Sequence, residues 1–177
     1  MTRWSLLGLI LSVGLLATST APVFATDANG NHDKYQFVSG MPPVEGPDVA
    51  MAANGSTVSL RGTGIFHAGP ANTASGSGTY TIMDAAGHTL ASGAFTVTDV
   101  LGFVDYGSGT PQGFPANIHG GEGKFDVTLA GVGSGVLTVT CLLGSPPAGK
   151  DEGITLILGN GMNFTKSTSG ETAFVLQ

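Results

Sequence analysis

Apolar and polar residues alternate with a period of two along most of the chain beyond residue 55. Tyr80 and Ile82 alternate with Thr79, Thr81 and Met83, and Phe95 and Val97 with Ala94, Thr96 and Thr98. Phe125, Val127 and Leu129 alternate with Asp126, Thr128 and Ala130. Ile154, Leu156 and Leu158 alternate with Thr155 and Ile157, and Val58 and Leu60 with Thr57, Ser59 and Arg61. Successive side chains on a strand point to opposite faces, so the pattern predicts strands with one apolar and one hydroxylated face. One-sided burial of this kind belongs to antiparallel sheet. The predicted strands are 35–39, 56–61, 63–67, 77–83, 90–98, 124–130, 135–143, 153–158 and 172–176. No apolar stripe of helical period follows residue 25, and the strong helix formers Glu, Lys and Arg are scarce. The expected fold class is all-β, an antiparallel β-sandwich or small β-barrel of about eight or nine strands.

One stretch repeats. Ser77-Gly78-Thr79-Tyr80-Thr81-Ile82-Met83-Asp84 recurs as Ser92-Gly93-Ala94-Phe95-Thr96-Val97-Thr98-Asp99, an offset of 15. The pair reads as two strands of one hairpin. Asp84-Ala85-Ala86-Gly87 suits a type I turn, with Asp at its first position and Gly at its last. Glycines just before aromatics mark bulges or places where backbones approach closely.

The first residues read as an address. Arg3 supplies a positive charge, Leu6 to Leu16 an apolar run, and Val23-Phe24-Ala25 a small-residue cleavage site. That order is a secretory signal peptide over 1–25. Its apolar run is about 11 residues, short of the ~20 that span a bilayer as a helix. A secreted, extracellular protein cleaved after Ala25 is expected. Residues 26–55, with Pro42, Pro43 and Pro47, read as a mobile start and extended connection, and 56–177 as a single all-β domain.

Composition narrows the function classes. Charged residues make up 10% of the 177, against roughly 25% in an ordinary soluble domain. Removing residues 1–25 leaves five cations against twelve carboxylates, a net charge of −7. Nucleic-acid binding needs clustered cations and is not expected, nor is any membrane span beyond the signal segment. The one cysteine, Cys141, lies on the apolar side of Leu137, Val139 and Leu143 and reads as a small buried hydrophobe. His32, His67, His88 and His119 have no metal-ligand spacing, so neither a metal nor another cofactor is expected. There is no nucleophile elbow, and the Gly-rich segment 131–135 precedes a strand rather than the helix a phosphate loop requires. Asn54-Gly55-Ser56 and Asn163-Phe164-Thr165 match the glycosylation sequon.

One segment stands apart. From Asp105 to Gly123 the chain is rich in Gly, carries Pro111 and Pro115, and shows no strand alternation. Long irregular loops in compact domains are usually functional or disordered. This one holds Tyr106, Gln112, Phe114, Asn117, His119 and Glu122. An aromatic ring among amides and one His suits a small molecule or glycan. The expected function is therefore a secreted binding or surface-associated module without catalysis. The alternative is a small ligand-enclosing barrel with isomerase- or cyclase-like activity, which requires an internal cavity with polar groups such as Tyr106 or His119 at its mouth.

The run Cys141-Leu142-Leu143-Gly144-Ser145-Pro146-Pro147-Ala148-Gly149-Lys150-Asp151-Glu152-Gly153, followed by Gly161-Met162-Asn163-Phe164, resembles a pattern in small exported bacterial all-β proteins of unknown function. The Gly62-Thr63-Gly64-Ile65-Phe66 strand is similar to the one that opens those chains. The resemblance covers most of residues 50–177 and implies an exported all-β domain. It carries no site residue. Lys150 beside Asp151 and Glu152 reads as a solvated charge cluster.

Overall fold

In the computed structural model, residues 33–69 and 73–177 are described. Residues 1–25, expected to be a signal peptide, and His32 lie outside them. Ten strands follow in chain order: β1 Asp33–Ser39, β2 Asp48–Ala52, β3 Thr57–Ala68, β4 Thr73–Met83, β5 Thr89–Ser108, β6 Ile118–Leu129, β7 Gly133–Cys141, β8 Gly153–Leu158, β9 Asn163–Ser169 and β10 Thr172–Leu176. Among the described residues no helix is long and apolar enough to cross a membrane.

The protein is all-β and antiparallel. Its strands form one sheet in the order β1-β10-β6-β5-β4-β3-β2-β9-β8-β7, with further pairings β1–β3 and β6–β7 that wrap the sheet into a ring. Two long strands fork. The first part of β3 pairs with β2 (Leu60↔Asp48), and the rest pairs with β1 (Gly62↔Ser39). Likewise β6 meets β10 at His119↔Phe174 and β7 from Gly121↔Cys141 onward. The ring therefore has a seam, where the pair β1/β10 abuts the group β2/β9/β8/β7.

The period-two pattern sets the inside. Val58, Leu60, Ile82, Phe95, Phe125, Val127, Leu137, Val139, Cys141 and Leu156 are all buried in one core. Six phenylalanines, Phe37, Phe66, Phe95, Phe125, Phe164 and Phe174, have no exposed surface. Phe66 is the hub: its ring centroid lies 5.0 Å from Phe103, 5.1 Å from Phe125 and 5.7 Å from Tyr35. Edge-to-face geometry of the first two is the arrangement aromatic quadrupoles favour. The glycines before the aromatics make room for these rings. A Cβ on Gly62 or Gly78 would sit 2.5 or 2.4 Å from Phe95, so that ring lies flat across two neighbouring backbones.

The repeated stretch forms the β4–β5 hairpin, with Tyr80 opposite Gly93 and Ile82 opposite Ala91. Its turn is the expected one: Gly87 N–H donates to Asp84 O at 3.0 Å, and Gly87 has φ 87°. Asp84 Oδ1 accepts from the backbone N–H groups of Ala86 and His88 at 2.9 and 2.8 Å.

Several boundaries differ from expectation. The strands 56–61 and 63–67 are one, β3, because Gly62 continues the extended backbone under Phe95. β2 lies in the Pro/Gly-rich connection, where too few alternating positions exist to announce it, yet it pairs with both β3 and β9. β9 was hidden because its outward side is a run of Thr, Lys and Ser around one buried residue, Phe164. β5 is twice the expected length. Register shifts at Val97/Asp99, Val100/Gly102 and Asp105/Gly107 interrupt its alternation and mask it in the sequence.

Candidate functional site

The segment 105–123 is mostly sheet rather than loop, which corrects the expectation. β5 continues through Ser108 and β6 begins at Ile118, leaving 109–117 as the connection. That connection is internally bonded. Gly109 N–H donates to Ile118 O at 2.7 Å, Phe114 N–H to Gly109 O at 3.1 Å, and Ile118 N–H to Pro115 O at 3.0 Å. Thr110–Gln112 make a short 3-10 turn closed by Gly113.

The six residues singled out do not form one cluster. Alternation along β6 sends His119 and Glu122 to opposite faces. His119 turns toward the interior end of the ring, where Nδ1 lies 3.0–3.1 Å from both carboxylate oxygens of Asp105. The Tyr35 hydroxyl donates to the same Asp105 at 3.1 Å, and the Tyr35 and His119 rings meet edge-on at 5.9 Å. Tyr35 and Asp105 have no short-range signal in the sequence: 70 residues separate them, and only the β1–β3 and β5–β6 pairings bring them together. Asn117 stands with the C-terminus, its carbonyl accepting from Leu176 N–H at 2.8 Å.

Tyr106, Gln112, Phe114 and Glu122 gather on the other face, around the connection from Leu142 to Glu152. Gln112 clasps Gly144 with both ends of its amide: Nε2 donates to Gly144 O at 2.9 Å, and Gly144 N–H donates to Oε1 at 3.3 Å. Ser145 N–H donates to Tyr106 O at 2.7 Å. Gly120 permits this docking, since a Cβ there would lie 1.9 Å from the Leu143 carbonyl oxygen. Phe114 and Leu143 flank Gly109, and Phe114 remains 47% exposed. The Lys150 ammonium donates to Glu122 Oε2. This hydrogen bond, with the charge of Glu122, holds the Lys150 pKa above its usual value. Burial raises the Tyr106 phenol; the Glu122 charge adds to the rise and the Lys150 charge opposes it.

Beside that ion pair lies a cleft of about 150 Å³ on the outer face of β7, β8 and β9. Thr138, Thr140, Thr155, Thr165 and Ser167 line it with hydroxyls, and Glu122, Lys150 and Asp151 stand at its side. A broader, shallower hollow of about 410 Å³ lies further along the outer face, with Asp126, Thr128, Ser134 and Ile157 among its lining. Both are outside the ring. Among the described residues no three His, Cys, Asp or Glu side chains gather as a metal site.

The solvated-cluster reading of residues 150–152 holds for Lys150 and Asp151, which are exposed, and fails for Glu152. Lys150 reaches across to Glu122 rather than to its neighbours, and Glu152 is half-buried. Glu152 Oε2 accepts from Leu142 N–H at 2.6 Å, and Oε1 accepts from Thr172 N–H at 3.1 Å. Cys141 faces the core, where burial pushes its thiol up to about 12. A thiol held that far above neutrality is an inert packing group.

The fold and this face together define a closed all-β domain with a hydroxyl-lined outer cleft. Compared with known protein families, with curated proteins and with solved structures, the chain matches none.

Proposed function

We propose that the protein is an exported all-β binding module without catalysis, and that its outer cleft holds a small hydroxylated ligand such as a single sugar ring or the end of a glycan. The observation that carries this reading is the convergence of Phe114, Gln112, Tyr106 and Glu122 on the Leu142–Glu152 connection, beside a cleft whose walls are hydroxyls. Hydroxyls and one ion pair can donate to and accept from a polyol in several directions. Phe114, half-exposed on the 109–117 connection, adds a flat apolar surface of the kind on which sugar rings stack. Most apolar strand residues face inward, and Thr79, Thr96, Thr98 and Thr128 are exposed, which suits a module working in water. The ligand-enclosing alternative needs an interior void; six fully buried phenylalanines in the ring favour the outer-cleft reading over it.

The test is a panel of mono- and oligosaccharides followed by amide chemical shifts of the protein. A binding sugar moves amides of β7, β8 and β9, and Phe114→Ala and Thr155→Val each weaken it by about tenfold, the loss of one good contact. No shift with any member of the panel, or shifts confined to the His119 end of the ring, would overturn the assignment.

A further inference from the structure

The seam of the ring contains a carboxyl group that the binding reading does not use. Asp48, at the start of β2, has no exposed surface. Its Oδ2 is hydrogen-bonded to the Ser39 hydroxyl at the end of β1. Its Oδ1 is buried and has no hydrogen-bond partner. Gly170 packs directly on that oxygen: a Cβ there would lie 1.8 Å from it. The position is structural as well as buried. Leu60 of β3 pairs with Asp48, and Gly62 pairs with Ser39, so the side chain bridges the two partners that β3 takes at its fork.

The charged groups around it are of one sign. Glu152, preceding β8, and Glu171, preceding β10, both act on Asp48 as like charges. Glu152 is fastened to the seam from the other side, through Leu142 N–H, Thr172 N–H and the Thr172 hydroxyl. Glu45, in the connection from β1, lies against Glu171, its N–H donating to Oε2 at 3.4 Å. On β3 the cation Arg61 turns its guanidinium to the Gly46 carbonyl at 2.8 Å. On β9 the cation Lys166 pairs with Met51, at the far end of β2 from Asp48. Ionised, Asp48 would hold a buried charge with a single hydrogen-bond donor, Ser39, facing two other carboxylates. Neutral, it leaves one uncharged polar atom unmet, the lesser cost.

We propose that Asp48 is an acid-operated latch: with its proton on, the seam between β1/β10 and β2/β8/β7 is closed, and with its proton off, the seam loosens. Burial is the largest influence and raises the Asp48 pKa from 3.8 to about 7; Glu152 and Glu171 add to the rise, and the Ser39 hydrogen bond opposes it. Between those values the folded chain keeps a proton that the unfolded chain has lost. Stability is therefore fully present below about pH 4 and falls as pH rises toward 7.

The experiment compares the full chain with Asp48→Asn, a neutral isostere, by denaturant unfolding from pH 4.5 to 8. For the native protein the latch predicts that Asp48 lowers the folding equilibrium constant on the order of tenfold per pH unit up to about 7. Asp48→Asn removes that one-proton slope while the Glu152 contribution persists. Hydrogen exchange, corrected for its intrinsic pH dependence, reads the seam itself. Amides of Gly40, Leu142 and Thr172 lose protection above pH 7 in the native protein, while β4–β5 amides keep theirs. Where Asp48→Asn does not fold, the carboxyl carbon of native Asp48 is titrated by NMR. A midpoint near 7 supports the latch. A midpoint near 4, an unchanged slope in Asp48→Asn, or protection lost evenly across β4–β5 overturns it.

Discussion

Glycine placement is the feature by which single residues control this fold. Gly62 and Gly78 stand opposite each other on β3 and β4, and the Phe95 ring rests on both. A methyl group at either position forces the ring or the strand to move. Gly78→Ala is expected to destabilise the protein by about 1–3 kcal/mol, the usual cost of overpacking a filled core, measured by denaturant unfolding. Gly87→Ala, at the open hairpin turn, acts through its positive φ alone and meets no atom within 4 Å. Gly78→Ala is therefore the more disruptive change. The glycine–aromatic spacing was legible in the sequence as a sign of close backbone approach. Which ring lies on which glycine was not, because Phe95 belongs to a strand on the other side of the hairpin turn.

Strands and their connections show how local signals fail where alternation is broken. The β4–β5 hairpin was readable because its turn chemistry and both alternations are intact. The far half of β5 was not, because each register shift turns the next side chains to the other face. The Leu142–Glu152 connection is held by tertiary partners, among them the Gln112 amide. Gln112→Ala is expected to leave global stability within about 0.5 kcal/mol, as for an exposed substitution. It speeds hydrogen exchange at Gly144 and lowers affinity for any ligand of the outer cleft. Unchanged exchange at Gly144 would show that the amide clasp does not hold the connection.

At the scale of the molecule, closure of the sheet leaves little freedom for the core to relax. Phe66 touches Tyr35, Phe103, Phe125 and Phe174, which come from β1, β5, β6 and β10. Phe66→Ala empties a site that strands on several sides cannot collapse into. The expected loss is about 3–5 kcal/mol, read from the unfolding midpoint. Phe114→Ala, half-exposed on the connection, is expected to cost far less and to act on binding. A smaller loss for Phe66→Ala than for Phe114→Ala would show that the ring packs around some other centre.

The all-β class, the one-sided strands, the Asp84 turn and the inward thiol were determined by the sequence alone, because each follows from a few neighbouring residues. Tertiary structure decided the rest. Ring closure depends on β1 finding β3 and on β7 finding β6. The six candidate residues parted because β6 sends adjacent side chains to opposite faces. Asp48 became a buried acid because the fork in β3 set β1 beside β2, an outcome that lies in pairings between distant segments.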